Sequence, residues 1–255
     1  MKTTESMRGG FWSRSHHLDR MTLRELVIAY FQYPAIIAYL TLAVAATAAW
    51  AWRPAGFVQT VASILIATLV YPLVWYCLHR WVLHSRWMWK SKLLASTWKR
   101  IHYDHHQDPN HLEVLFGGLH TTLPTIALAT MPLGYAIGGF GGAAIALATG
   151  LITTCVYEFF HCIQHLAYKP RNKWVAAIKQ RHMQHHFHDE NGNFGITNYF
   201  WDRVFGTFYE KAGDRSKSPT VFNLGYTNEV AEKYPYVARL SGGVATGHPR
   251  HRQRD

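Results

Sequence analysis

Four long apolar runs constrain this chain more than anything else in it: Pro34 to Trp52, Phe57 to Leu78, Leu119 to Ile137 and Gly138 to Phe160. Each is close to the ~20 residues that an α-helix needs to cross a hydrocarbon core. They predict an all-α integral membrane protein whose four transmembrane helices form two hairpins. Mean hydropathy over the whole chain is near zero because polar flanks dilute the average, and local windows decide a membrane assignment.

Charge placement bears on the same topology. The connections inside the hairpins, Arg53 to Gly56 and Gly138 to Gly142, hold one of the 26 Lys and Arg, Arg53. The rest lie in the first 33 residues, in Arg80 to Gly118, or after Phe160. Basic loops stay cytoplasmic, so both termini and the middle segment are expected on the cytosolic side. The net charge of +11 then flanks apolar spans, where it can meet anionic headgroups. A nucleic-acid partner would need a soluble basic face and is not expected.

Ten histidines occupy four clusters at or just beyond the ends of the apolar runs, all on that cytosolic side. They are His79 and His84; His102, His105 and His106; His161 and His165; His182, His185 and His186. Residues three and four apart share a helical face, so H-x-x-H-H and H-x-x-x-H each aim imidazoles at one point. Positions 102 and 106 point one way and 105 is turned aside, so that a single helix can serve two adjacent ions. His79 and His84, five apart, would diverge on a continuous α-helix, which places them where the second span frays or turns. Ten imidazoles exceed the usual four ligands of one zinc ion, so the count indicates two metals.

Imidazole suits Zn, Cu, Fe and Ni. The Glu and Glu-x-x-His pattern of the ferritin-like di-iron bundles does not recur here. Asp104, Glu158, Asp189 and Glu190 lie near the clusters, where a carboxylate can accept a ligand's other ring N–H. An all-imidazole set leaves its metals electrophilic and, with iron present, able to bind O2. A transporter would place ionisable ligands near the bilayer midplane. These ten sit at or beyond the span ends, which disfavours a metal-handling membrane protein.

Smaller features complete the plan. Thr22 to Glu25 reads as a capping box ahead of an apolar stripe of Leu23, Leu26, Val27, Tyr30 and Phe31, either an interfacial helix or the first turns of the first span. Met1 to Arg24 lacks the apolar core of a cleavable signal. Trp50, Trp52, Trp75 and Tyr76 stand near span ends, as interfacial aromatics do. Cys77, Cys155 and Cys162 fit no disulfide framework and are expected as free thiols. Residues 1–33 read as a cytosolic N-terminal segment, 34–210 as the membrane catalytic unit and 211–255 as a polar tail with a disordered end. His248 and His251 belong to that solvated basic end.

The segments His79-Arg-Trp-Val-Leu-His84, His102-Tyr-Asp-His-His106, Tyr157-Glu-Phe-Phe-His161-Cys-Ile-Gln-His165 and Arg181-His-Met-Gln-His-His-Phe-His188 together resemble the fatty acid hydroxylase and sterol desaturase superfamily of membrane di-iron enzymes. Asn193-Phe-Gly-Ile-Thr-Asn-Tyr-Phe-Trp-Asp-Arg-Val-Phe-Gly-Thr207 is most similar to the fatty acid 2-hydroxylase branch. The resemblance covers about Leu78 to Tyr209. It implies four transmembrane helices under a cytosolic helical cap that holds a histidine-ligated dimetal site, with all ten histidines as ligands. His79, His84, His102, His106 and His185 would hold one ion, and His105, His161, His165, His182 and His186 the other. His188, His111 and His120 match no ligand position. The cofactors implied are two Fe ions, which Zn can replace on purification, with O2 as co-substrate.

The activity implied is O2-dependent hydroxylation of a fatty acyl chain in a free acid, a sphingolipid or another polar lipid. Sterol oxidation or desaturation, carotenoid ring hydroxylation and ornithine-lipid hydroxylation are alternatives within the superfamily. The loop Gln107 to Phe116 is shorter than, and different from, its counterpart in fatty acid 2-hydroxylases. Only 33 residues precede the first span, too few for the fused b-type cytochrome of some relatives, so electrons are expected from a separate carrier protein. The expected setting is a bacterial inner membrane, or the ER membrane in a eukaryote. The acyl chain would enter from the bilayer between spans two and four, past Trp75, Tyr157 and Phe160.

Overall fold

The computed structural model describes residues 16–245, and these are mostly helical. The predicted capping box is present: Thr22 Oγ1 accepts from the Glu25 N–H and the Glu25 carboxylate accepts from the Thr22 N–H at 2.7 Å, which starts α1 (Leu23–Gln32). Tyr33 then turns extended and Pro34 opens α2 (Pro34–Trp52), a position where its missing N–H costs nothing. The apolar stripe is therefore a separate helix and not the first turns of the span. After Arg53 to Gly56 comes α3 (Phe57–Leu78), which runs on into a π-helical turn at His79–Leu83.

The polar middle segment folds as short pieces. These are α4 (Ala95–Trp98), a second π turn (Lys99–Tyr103), α5 (Asp104–Gln107) and α6 (Leu112–Leu115). Next is α7 (Leu119–His165), 47 residues long and broken at Gly138 and Gly139. Gly139 sits at φ 57°, ψ −143°, a conformation open essentially to glycine alone. There the chain reverses. A Cβ at Gly134 would lie 2.3 Å from the Gly142 carbonyl oxygen, and one at Gly150 2.8 Å from Thr130 Cγ2. Gly134 with Thr130 on one arm thus meets Gly142, Ala146 and Gly150 on the other, the small-residue stripe that lets two helices approach closely. A Cβ at Gly141 would lie 2.5 Å from the Arg53 carbonyl oxygen, so both glycine-bearing connections meet at one end of the molecule, remote from the histidines.

Among the described residues three helices are long and apolar enough to cross a membrane: Pro34–Trp52, Phe57–Leu83 and Leu119–His165. The two apolar runs expected as third and fourth spans are the two arms of α7, joined at the non-helical Gly138 and Gly139.

The cap is completed by α8 (Lys173–Phe187), α9 (Phe200–Val204), α10 (Asn228–Lys233) and α11 (Tyr236–Ser241). Part of the polar tail is thus folded. Tyr226 and Val237 are fully buried against Trp98 and Tyr103 in a small core of their own. Residues 1–15 and 246–255 lie outside the described residues, and with them the tail end expected to be disordered, including His248 and His251.

Candidate metal centre

All four histidine clusters converge in the cap. Ligand atoms of His105, His161, His165, His182 and His186 lie within 4.8 Å of one another, and so do those of His79, His84, His102 and His106. His185 adjoins the second set, its ring centroid 4.9 Å from His79 and 4.8 Å from His84. The two sets touch where the His106 and His186 rings stand 4.3 Å apart. His79 and His84 meet by a device that their spacing did not suggest. The π turn gives an i to i+5 bond, His84 N–H donating to the His79 carbonyl at 3.0 Å, and sets the two Nε2 atoms 3.2 Å apart. A fray is not needed. The second π turn leads into His102 in the same way, and such turns recur at functional sites.

The ring nitrogens show whether these residues suit a metal. His79 Nδ1 faces the Phe194 carbonyl at 2.6 Å, His106 Nδ1 that of Val221 at 3.2 Å, and His185 Nδ1 that of Gly192 at 2.8 Å. A carbonyl only accepts, so each Nδ1 carries the proton and each Nε2 presents a bare lone pair. The Nε2 atoms of His106 and His185 are buried without a partner. In the other set Nε2 faces Nε2 at 3.2 Å between His161 and His105 and at 2.9 Å between His165 and His182. For a metal–nitrogen bond near 2.1 Å, ligand atoms of one ion stand about 3 to 3.5 Å apart. Two bare lone pairs this close repel unless a proton or a metal ion lies between them, and five such nitrogens gathered within 4.8 Å match the reach of one ion, so the donor set fits two metal ions.

Burial disfavours the charged imidazolium and is the largest cause holding His84, His102, His105, His182, His185 and His186 well below the usual imidazole range. The neighbouring rings add to it. His106 is pushed down to about 3. Neutral rings are the ligating form.

The carboxylates expected to orient the rings mostly do otherwise. Asp104 pairs with Lys99 at 2.7 Å, Asp189 bonds Asn191 and Arg215, and Glu190 accepts from Thr220. Only Glu158 faces a ligand ring, its Oε2 3.7 Å from His161 Nδ1. Backbone carbonyls take the role, two from the loop 192–209 and one from Val221 further along the chain. Asp202, fully buried, holds that loop. Its carboxylate accepts from the Phe194 N–H at 2.8 Å, the Gly195 N–H at 2.9 Å and Thr207 Oγ1 at 2.8 Å. Asn193, at φ 54°, exchanges side-chain bonds with the Tyr209 backbone at 2.9 and 3.1 Å. Sequence reasoning missed Asp202, Gly192, Phe194 and Val221. Asp202 lies in a motif already singled out; carbonyls leave no sequence signal.

A cavity of about 280 Å³ opens onto His79, His102, His105, His161 and His182. Its other walls are apolar (Trp75, Leu78, Leu83, Leu94, Ile101) except for Thr97, Thr121, Thr122, Thr125, Tyr157 and Glu158. Trp75 and Tyr157 line it, stacked at 5.7 Å. Phe160 does not, and packs on Trp174 instead. His111 pairs with Glu113 and His188 with the Arg215 carbonyl. Cys77, Cys155 and Cys162 are free thiols.

The fatty acid hydroxylase family model matches residues 64–207, which include all ten histidines and the Asp202 loop. The chain belongs to the fatty acid hydroxylase family. It is 29% identical over 150 residues to the ceramide very long chain fatty acid hydroxylase of Saccharomyces cerevisiae, covering 56% of this chain and 37% of that protein. Identity to a dihydroceramide fatty acyl 2-hydroxylase of Arabidopsis thaliana is 28% over 150 residues, covering 58% of this chain and 61% of the relative. Human fatty acid 2-hydroxylase is 25% identical over 154 residues, covering 56% and 38%. This chain thus matches well under half the length of the yeast and human relatives. The solved full-length scs7p, of which only the hydroxylase domain is visible, shares the fold with a TM-score of 0.54 at 23% identity, covering 76% of this chain and 68% of that one.

Proposed function

We propose that this protein is a membrane-bound di-iron hydroxylase that inserts one oxygen atom of O2 into a C–H bond of a lipid acyl chain. The observation that carries the reading is an apolar cavity ending on two adjoining sets of imidazoles, all but one of them buried. His79, His84, His102, His106 and His185 would hold one ion, and His105, His161, His165, His182 and His186 the other. Bound iron supplies O2 activation and electron transfer. The chain's own part is to fix ligand orientation through the carbonyls of Phe194, Gly192 and Val221, to hold the acyl segment beside the histidines, and to keep water out.

The cavity wall also bears on the substrate. Among the described residues no Lys or Arg lines it, and the one carboxylate is Glu158. A free fatty acid with its carboxylate near the centre would find no Lys or Arg to pair with, only the metal ions themselves, which it would ligate at the position O2 needs, and a second carboxylate close by. An acyl chain in amide or ester linkage has no such charge, and the names of the yeast and Arabidopsis relatives point to ceramide acyl chains. In the membrane we propose four crossings, with α7 supplying two, and both termini and all histidines on the cytosolic face. A separate one-electron carrier supplies reducing equivalents.

The test is untargeted lipid mass spectrometry of cells grown under labelled O2, expressing either this protein or His182→Ala. One lipid class should gain a single labelled oxygen with the intact protein alone. Loss of two hydrogens without oxygen would replace hydroxylation with desaturation.

A further inference from the structure

The motif that carries Asp202 has a second face. In α9, Asp202 points inward, while Phe200, Val204 and Phe205 on and just after the helix are 60%, 55% and 40% exposed. An apolar patch this prominent needs a partner. Its position on α3 indicates which one. Along α3, Val58, Val61, Leu65 and Leu69 form an exposed stripe at i+3 and i+4 spacing. The next members of that stripe are Pro72 and Tyr76. There α9 sits: Phe205 stacks on Tyr76 at 5.3 Å with the rings 11° apart, and Trp201 lines a small cleft with Pro72. The cap helix therefore continues the face that a membrane-spanning α3 turns to lipid.

Its depth follows from charge. From Phe57 onward the first charged residue is Arg80, which marks headgroup level. The Arg80 guanidinium lies 5.2 Å from the Trp81 ring and 5.9 Å from the Phe205 ring, and donates to Tyr76 Oη at 2.9 Å. Phe205 and the exposed Trp81 are thus at the height of the first headgroup-level cation, with Arg203 exposed on the same helix.

We infer that α9, with Trp81 beside it, lies in the boundary between headgroups and acyl chains as an in-plane lipid anchor of the cap. Apolar side chains inserted ~5–10 Å with basic residues at the surface describe such anchors. The occupant is lipid rather than a protein partner, because the patch is continuous with the aliphatic stripe of α3 below it and the cations beside it suit phosphate. The anchor is coupled to the histidines. The Asp202 carboxylate on its inner side grips Phe194 and Gly195, and the Phe194 carbonyl orients His79. The inference rests on the membrane reading of α3 and not on the reaction.

Photocrosslinking tests it. The full-length protein would carry Phe200→p-benzoylphenylalanine, in nanodiscs of phosphatidylcholine and phosphatidylglycerol. Leu69, on the exposed stripe, serves as the lipid-facing control and Lys217 as the aqueous one. Irradiation should yield a phospholipid adduct at position 200 as at 69, and none at 217. The same probe at Val204 covers the case in which the first variant fails to fold. Position 200 behaving like 217, or joining a second protein chain in native membranes while 69 labels lipid, would overturn the anchor.

Discussion

A histidine presents one nitrogen to a metal only when something settles where its proton sits. For His79, His106 and His185 that is a backbone carbonyl. The ten ligand candidates were legible in the sequence because helical spacing is a side-chain property. The carbonyls were not, because any residue supplies one, and three of the four nearby carboxylates, Asp104, Asp189 and Glu190, turn to other partners. Asp202→Asn would keep the size of the side chain but turn an NH2 toward N–H donors. Each buried donor left unpaired costs about 1–3 kcal/mol. The expected result is metal affinity weakened by roughly 10–100-fold at the set containing His79, with the other set retained, read as metal content after competition with a chelator. Equal loss from both sets would indicate general misfolding. The pair of His111 and Glu113 titrates separately. Hydrogen bonds from His111 and His16, outweighing burial, lower Glu113 to about 2, so its contribution is complete above the ordinary value of 4.5 and is lost as pH falls toward 2. The same carboxylate raises His111, whose contribution is complete below 6.5 and is lost as pH rises through the raised value. The segment from His16, bonded through Glu113 to this loop, should be best protected between about pH 4.5 and 6.5. Hydrogen exchange across residues 16–20 at pH 5 and pH 9, corrected for intrinsic rates, would show faster opening at pH 9; equal protection would contradict it.

Elements were legible where periodicity or punctuation marks them and hidden where hydrogen bonding departs from the α pattern. The capping box at Thr22, Pro34 at the start of α2 and the glycine turn of α7 could all be read. The two π turns could not, since a π turn is one extra residue in a helix and the sequence does not reveal where it is absorbed. The turn at His79–Leu83 lets a five-residue spacing act as a ligand pair. The arms of α7 depend on glycine in a different way. A Cβ at Gly142 would lie 2.1 Å from the Gly134 carbonyl oxygen, and backbone cannot move aside as a side chain can. Gly142→Val should therefore exceed the ~1–3 kcal/mol usual for overpacking. Thermal unfolding in detergent should show a large fall in midpoint or loss of monodisperse protein. A variant as stable as the parent would mean that the arms do not pack as described.

At the scale of the whole molecule, ten imidazoles in a dry cap cannot be neutral bystanders to stability. Metal that binds only the folded chain adds about 4 kcal/mol at a thousandfold excess over Kd. For a chain of this size that corresponds to about 10 °C in Tm, so removal of metal by a chelator should lower Tm by that order, and re-addition should restore it. The long apolar helices and the meeting of the histidines followed from the apolar runs and the histidine spacings. The closing of residues 221–237 over the cap did not, because the burial of Tyr226 and Val237 against Trp98 depends on chain separated from them by more than a hundred residues. The most direct test of the central reading is a single turnover of purified, iron-loaded protein in nanodiscs, chemically reduced and exposed to labelled O2. An amide-linked acyl lipid would be offered beside the matching free fatty acid. The account predicts one labelled oxygen in the amide-linked chain and much less in the free acid. No labelled product from either, with two irons bound per chain, would contradict it.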